Sequence, residues 1–169
     1  MENQKLISKT RINRIRAQGY LTNSDSDISQ ISFGNRFAYL LCSAILIVAV
    51  STANVPLLYV MLTIAFFGIV LPNHPFDYIY NYVLRQQMGK PKLPPRSKQL
   101  KFACTVATLW IAGTIYLFTA GLTTAGYVFG AALITVATLV GTTDICIPSL
   151  IWNYVFKVDV KSFCTPNQV

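Results

Sequence analysis

Charge is scarce in this sequence: 12% of its 169 residues are charged, with 6 Asp and Glu against 14 Lys and Arg, and a single His. Soluble domains average about 25% charged residues, so a water-soluble globule is not expected. The formal charge of +8 flanks long apolar stretches and is not set on a polar domain, which favours a membrane surface over nucleic acid as its counterpart. With one His, no Cys-x-x-Cys among four cysteines and no helically spaced acids in the apolar stretches, no metal set is expected. Glycine-rich phosphate loops are also missing, and no cofactor is expected. Ion-coupled transporters hold substrate or protons with ionisable residues inside their spans, and the uncharged stretches here offer none, so a transporter or pump is a poor reading.

What the chain does have is two long uncharged blocks, Phe37 to Leu71 and Phe102 to Thr143. At about 1.5 Å per helical residue each exceeds the roughly 30 Å of hydrocarbon, so each is read as a hairpin of two short spans. The first block breaks at Ser51 to Pro56, since proline opens a helix but disrupts its interior. That places spans at Phe37 to Thr52 and Pro56 to Leu71. The second breaks at Ala120 to Thr123 around Gly121, between spans at Lys101 to Thr119 and Thr123 to Thr143. The fold class expected is therefore an all-α membrane protein with four transmembrane helices arranged as two hairpins.

Every basic residue falls outside the hairpin turns: Lys5 to Arg36 before the first span, Arg85 to Lys101 between the second and third, and Lys157 and Lys161 after the fourth. By the positive-inside rule both termini and the central loop are cytoplasmic, the expected setting being a bacterial inner membrane. No cleavable signal is expected, because the first 35 residues are polar. The organisation read from this is a basic polar segment over residues 1–35, a first hairpin with an interfacial helix over 36–88, and a Pro-rich basic linker over 89–100. A second hairpin with its own interfacial helix follows over 101–158, and a cytoplasmic tail over 159–169. The basic run from Lys5 to Arg16 is either a site for anionic headgroups, at about 1 kcal/mol per basic residue near the surface, or a solvated tail.

The two halves resemble each other. Ile79-Tyr80-Asn81-Tyr82-Val83 follows the first hairpin and Ile151-Trp152-Asn153-Tyr154-Val155 the second, and the hairpins open on Arg36-Phe37-Ala38 and Lys101-Phe102-Ala103. An even number of crossings per copy makes this a parallel repeat about an axis along the membrane normal. The alternative is two independent interfacial helices, since Trp and Tyr favour the headgroup level. Phe76, Ile79, Tyr80 and Val83 share a face at helical spacing. Phe76, Tyr80, Tyr82, Trp152 and Tyr154 are the candidate membrane-interface residues. Gly126 and Gly130, a small-xxx-small pair, are candidates for close helix packing within the chain or between copies.

Aligning Ile79 with Ile151 sets His74 against Cys146, each near an acid at a span end, Asp77 and Asp144. A thiol beside an imidazole or a helix N-terminus is stabilised as thiolate, the nucleophilic form, whereas Asp144 acts the other way. The alternative is that Cys146 merely packs. Cys104, at the start of the third span, lies at the same depth and is a candidate partner of Cys146; disulfide bonding needs Cα atoms within about 7 Å. Cys42 is expected to pack, and Cys164 to be exposed in the tail. Cys146, Cys104 and His74 are thus the candidate chemical residues.

Several motifs resemble a family of small bacterial inner-membrane proteins, the domain-of-unknown-function family 4395. They are Gly34-Asn35-Arg36-Phe37, Pro75-Phe76-Asp77-Tyr78, Met88-Gly89-Lys90-Pro91, Pro94-Pro95-Arg96, Lys101-Phe102-Ala103, Asp144-Ile145-Cys146 and Tyr154, over about residues 33 to 156. The resemblance implies the four-span topology and a cysteine at the end of the fourth span, often paired as Cys-x-x-Cys. Here Cys146-Ile147-Pro148-Ser149 keeps the first cysteine only. No reaction is implied.

Two functions of different class follow. The first is a non-catalytic accessory or scaffold subunit of a membrane complex, docking other membrane or cytoplasmic subunits through its aromatic segments. The second is thiol-dependent handling of a sulfur or redox equivalent with a soluble thioredoxin-like or sulfurtransferase partner, with Cys146 as nucleophile and Cys104 or Cys164 resolving. The aromatic belt also admits a lipid- or quinone-associated role.

Overall fold

The computed structural model describes residues 7–158, and every regular element among them is helical. In order these are α1 (Lys9–Arg16), α2 (Asp25–Ser51), α3 (Val55–Val70), α4 (Pro75–Ile79), a π-helical turn (Tyr80–Leu84), α5 (Arg85–Met88), α6 (Lys98–Thr119), α7 (Thr123–Thr143) and α8 (Ile147–Val155). The breaks have local causes. Asn54 accepts from the Leu57 amide at 3.0 Å and Pro56 fits the first turn of α3, while Gly121 takes φ of 77° to reverse the chain into α7. Both fall within a residue or two of the breaks read from the sequence.

Residues 27, 22 and 21 in number make α2, α6 and α7 each long and apolar enough to cross a membrane. The 16 residues of α3, at about 1.5 Å each, fall short of roughly 30 Å on their own. It meets the length and composition needed only together with Pro75–Met88, beyond a bend of 80°. The outer faces of these helices are apolar: Val48, Val60, Phe66, Leu109, Tyr116 and Val128 are all exposed. In water such a surface drives association, so the molecule is a membrane protein.

Packing runs chiefly between the hairpins: α2 lies along α7 and α3 along α6, with α6 also touching α7 and α8. A central core of Leu46, Ala49, Leu58, Met61, Ile111, Ile115 and Leu133 fills the bundle. Gly126 of α7 lies under the Phe118 ring of α6, and Gly130 faces Val50 of α2 and Thr114 of α6. The small-residue stripe therefore seats neighbours within the chain.

A second core sits at one end of the bundle, made by Ile12 and Ile15 of α1, Tyr20, Ile28 and Ile31 of α2, Tyr80, Leu93 and Leu100. The basic polar segment that precedes Phe37 thus supplies part of this core. Ser24 and Asp27 form a reciprocal cap, so that α2 starts well before Phe37. Three basic residues of the Lys5 to Arg16 run, read either as headgroup-binding or as solvated, are engaged by protein: Arg11 with Asp144, Arg14 with the Thr143 carbonyl and Arg16 with Asp25. Lys5 lies outside the described residues.

The turn after α1 plugs this end. Gln18 is fully buried; its Nε2 donates to the Asp144 carbonyl at 2.9 Å, its Oε1 accepts from Asn35 at 3.0 Å, and its carbonyl accepts from Ser97. Asn153 of α8 donates to the Ala17 carbonyl at 2.7 Å. Gly19 has φ of 102°, and a Cβ there would collide with the Ser97 side chain, so only glycine fits. One short turn thus ties Asn35 of α2 and the start of α6 to the end of α7 and to α8.

The aromatic segments are polar inside and apolar outside. In α8, Ser149 and Asn153 are buried while Leu150, Ile151, Tyr154 and Val155 are exposed. After α3, Asp77 and Asn81 are buried, whereas Ile79, Tyr82 and Val83 are exposed. Phe76 and Tyr80 do not join that outer face: Phe76 packs in the bundle core, and Tyr80 is fully buried beside Gly34, where a Cβ would stand 2.6 Å from its ring. The expected shared face breaks because ordinary helical spacing groups Phe76 and Tyr80 with Asp77 and Asn81 on the inner side and leaves Ile79 and Val83 outside.

Candidate functional site

The acid at the end of the first hairpin fixes the site. Pro75 opens α4 and presents Asp77 one turn on, where its Oδ2 accepts from the His74 amide at 3.0 Å. Arg96, from the linker before α6, forks onto the same carboxylate, Nε to Oδ2 at 2.6 Å and Nη2 to Oδ1 at 2.9 Å. Both partners are buried, 3% and 7% exposed, and the Arg96 amide is held by the Pro72 carbonyl at 2.8 Å. Burial acts against the guanidinium charge, yet Asp77 beside it more than offsets this and holds Arg96 well above its ordinary value. Its third nitrogen, Nη1, reaches Cys104 Sγ at 4.0 Å.

His74 caps α4. Its Nδ1 accepts from the Phe76 amide at 3.3 Å, which leaves the proton of the neutral ring on Nε2. Burial, with Arg96 nearby, pushes its pKa down to about 3. The ring edge and Cys104 meet over Gly68 of α3: a Cβ at Gly68 would stand 3.0 Å from Cys104 Sγ and 3.4 Å from His74 Nε2. The missing side chain makes room for both.

These groups line a cavity of about 110 Å³ between α2, α3, α6 and α7. Its polar end holds His74, Arg96, Tyr39, Cys104 and Cys146; its shaft is Leu46, Met61, Ile111 and Leu133, with Cys42 and Trp110 on the walls. The alignment that paired His74 with Cys146 thus names two residues that cap α4 and α8 and line one cavity. Cys104 joins them, and so does Cys42, which had been expected only to pack. All three cysteines are free thiols. Among the described residues no group of three His, Cys, Asp or Glu is placed to hold a metal ion. Cys164 lies outside the described residues.

Cys146, itself buried, borders a second space. A groove of about 390 Å³ on the outer side, lined by Asn13, Arg14, Gln18 and Asp144, also reaches Cys146, the one residue common to groove and cavity. Ser149 donates to Cys146 Sγ at 3.0 Å. The serine standing where a Cys-x-x-Cys would have its second thiol is therefore in contact with the first. Burial pushes the Cys146 thiol up, and the Ser149 hydrogen bond pulls less strongly the other way. The expected effect of Asp144 does not arise, because Arg11 and Arg36 neutralise it at 2.9 and 2.6 Å. Maleimide labelling of Cys146 in membrane vesicles, followed by mass spectrometry, should lag behind a free thiol at pH 7 and accelerate above the ordinary thiol value of 9.0. Ready labelling at pH 7 would show that burial does not govern it.

Residues 33–157 match the family described as Domain of unknown function (DUF4395). The chain belongs to this family. No curated protein and no solved structure matches it. The DUF4395 segment starts within α2 and ends just past α8, so it contains every residue lining the cavity, while α1 and the plug formed by Ala17 to Gly19 precede it.

The tie between Arg96 and Asp77 was missed in the sequence, as were Tyr39 and the pairing of Arg11 and Arg36 with Asp144. One signal was present: a carboxylate at a span end needs a cation when buried, and Pro94-Pro95 stiffens the chain just before Arg96.

Proposed function

We propose that this DUF4395 protein handles thiol equivalents at the cytoplasmic face of a bacterial inner membrane, with Cys146 as the thiol that meets a partner and Cys104 as the resolving thiol. The observation that carries this is the convergence of Cys42, Cys104 and Cys146 with His74 and Arg96 on one cavity, Cys146 alone also lining the outer groove. The groove receives a disulfide of a soluble thioredoxin-like partner. Cys146 loses its proton and attacks one partner sulfur, forming a mixed disulfide and expelling the other as thiolate. Cys104, deprotonated in turn, attacks Cys146 Sγ, closing an internal disulfide and releasing the partner as a dithiol. Two electrons pass from the two protein thiols to the partner's disulfide, and both protons leave with the partner's thiols.

In this reading α3 serves as a fourth span and both termini are cytoplasmic. Support comes from the starts of α2 and α6 and the ends of α3 and α7 meeting at one end, where the basic residues lie. Exchanging α2 with α6, and α3 with α7, converts the α2–α7 packing into that of α6 with α3, which supports a parallel repeat. The outward apolar faces of α8 and the π-helical segment favour an interfacial setting with anionic lipid nearby.

The test uses the aromatic disulfide 5,5′-dithiobis(2-nitrobenzoic acid) at pH 9 on a Cys164→Ser background. Two nitrothiolates released per chain, with an internal disulfide by mass, are expected; Cys104→Ser should release one and retain the adduct, and Cys146→Ser should lose the paired reaction. If the buried thiols of the folded protein stay silent, the accessory or scaffold reading takes over. Its own support is the strongly exposed Tyr154, Val155 and Phe156 at the end of α8, a surface suited to another subunit.

A further inference from the structure

Cys146 is 3% exposed, so a partner meets its thiol only after some element has moved. The groove beside it runs between α1, which supplies Thr10, Asn13 and Arg14, and the residues Asp144, Ile145 and Leu150 around the start of α8. Of these two walls, α1 is the one held lightly. Asn13 Oδ1 and Arg16 Nε are shut off from solvent with no hydrogen-bond partner, and polar atoms desolvated in this way cost free energy.

The ties of α1 also break without stranding a buried charge. Arg36 already takes both oxygens of Asp144, so that carboxylate stays paired when Arg11 leaves. Asp25, the partner of Arg16, keeps 46% side-chain exposure and turns to water. Arg14 gives up one carbonyl, that of Thr143, and the Ile7 amide gives up the Ser29 hydroxyl. The plug that follows keeps its own bonds, Gln18 to Asp144 and Ser97 and Ala17 to Asn153, so α1 is free to leave while the plug stays.

The composition of α1 says what draws it away. Its eight residues carry Lys9, Arg11, Arg14 and Arg16 and no acid. Ile12 and Ile15 share one face, and at helical spacing Arg11 and Arg16 flank that face on either side. Such a helix lies in a bilayer interface, with its isoleucines at the acyl boundary and its cations among the phosphates. Arg11 and Arg14 contact residues 144 and 143 at the end of α7, which sets α1 at the level where a span meets the headgroups. Lys9 is exposed and pairs with no acid among the described residues.

We propose that α1 is a latch over Cys146 that anionic phospholipid headgroups release. Their phosphates take over its cations, Ile12 and Ile15 pass from the second core to the bilayer interface, and the groove opens onto the thiol. The latch serves the thiol exchange proposed above and so rests on that reading, whereas its movement is measured without any exchange.

The full chain is placed in nanodiscs of phosphatidylcholine alone or mixed equally with phosphatidylglycerol, and N-ethylmaleimide labelling at pH 8 is followed by mass spectrometry at each cysteine. Cys146 should label about tenfold faster in the anionic discs, with Cys42 and Cys104 unchanged, since neither borders the groove. An anionic surface also concentrates protons, which by itself slows a thiol, so surface charge alone acts against this result. Lys9→Gln should cut the gain about fivefold, the weight of one basic residue near the surface, and leave the rate in neutral discs as it was. The proposal is overturned if both discs give the same Cys146 rate, if all three thiols quicken together, or if Lys9→Gln keeps the full gain. Faster labelling of Cys146 without paired nitrothiolate release would keep the latch and remove the thiol reading; paired release with labelling indifferent to lipid would do the reverse.

Discussion

Arg96→Met should destabilise the protein by about 3–5 kcal/mol, the cost expected when one partner of a buried pair is removed. Asp77 is 3% exposed, and without Arg96 it keeps only the His74 amide as donor. It must then be protonated or the segment must open to water. Either way α4 loosens, and with it the seat of His74. Domains of this size lose roughly 2–4 °C per kcal/mol, so a fall on the order of 10 °C in the thermal midpoint in detergent is expected, with less protein in the membrane. Arg96→Met combined with Asp77→Asn should recover a good part of this, because the stranded charge is then gone while the amide side chain still caps α4. If the double variant is no more stable than Arg96→Met, the pair is not the unit that holds this end of the bundle.

The contrast between what the sequence reveals and what it hides follows the range of the interactions. Helix breaks at Pro56 and Gly121 are dictated by residues within one turn, and the uncharged blocks report span-like helices directly. Cys146 and His74 were also accessible, because each lies next to a proline-led helix and the two segments align. The ion pairs were not: Arg96 meets Asp77 across the linker, and Arg36 meets Asp144 across 108 residues of sequence. Nothing local in Arg36-Phe37-Ala38 distinguishes a topology-setting arginine from one bound to a carboxylate. The folded start of the chain lay between these cases. Ile12 with Ile15, and Ile28 with Ile31, stand at helical spacing in a polar stretch, a signal that the dense basic charge masked. Tyr80 looked like an interface aromatic because Tyr and Trp favour headgroups, yet it stands one helical turn after Phe76 on the inner side, with Asp77 and Asn81.

Asp144→Ala is expected to cost about 2–4 kcal/mol, and its pattern should differ from that at Arg96. Asp144 is fully buried at the end of α7 with φ of 60°, a left-handed position that Asp and Asn tolerate better than Ala. Its carboxylate accepts from Arg11 Nε at 2.9 Å and from Arg36 Nε and Nη2 at 2.8 and 2.6 Å. Both arginines keep 31% and 23% side-chain exposure, so on losing Asp144 they can turn to water rather than remain as stranded charges. The cost is therefore lost tethering of α1 and α2 to α7 plus backbone strain, without the penalty of an unpaired buried ion. Asp144→Asn keeps the left-handed fit and one acceptor oxygen, so it should cost roughly half as much. Because the tether holds α1 over the groove that contains Cys146, Asp144→Ala should also speed maleimide labelling of Cys146 at pH 7, an effect absent from Ser149→Ala, which removes only the hydroxyl that touches the thiol. Equal labelling of Cys146 in the native chain and in Asp144→Ala would mean that α1 does not control access to that thiol.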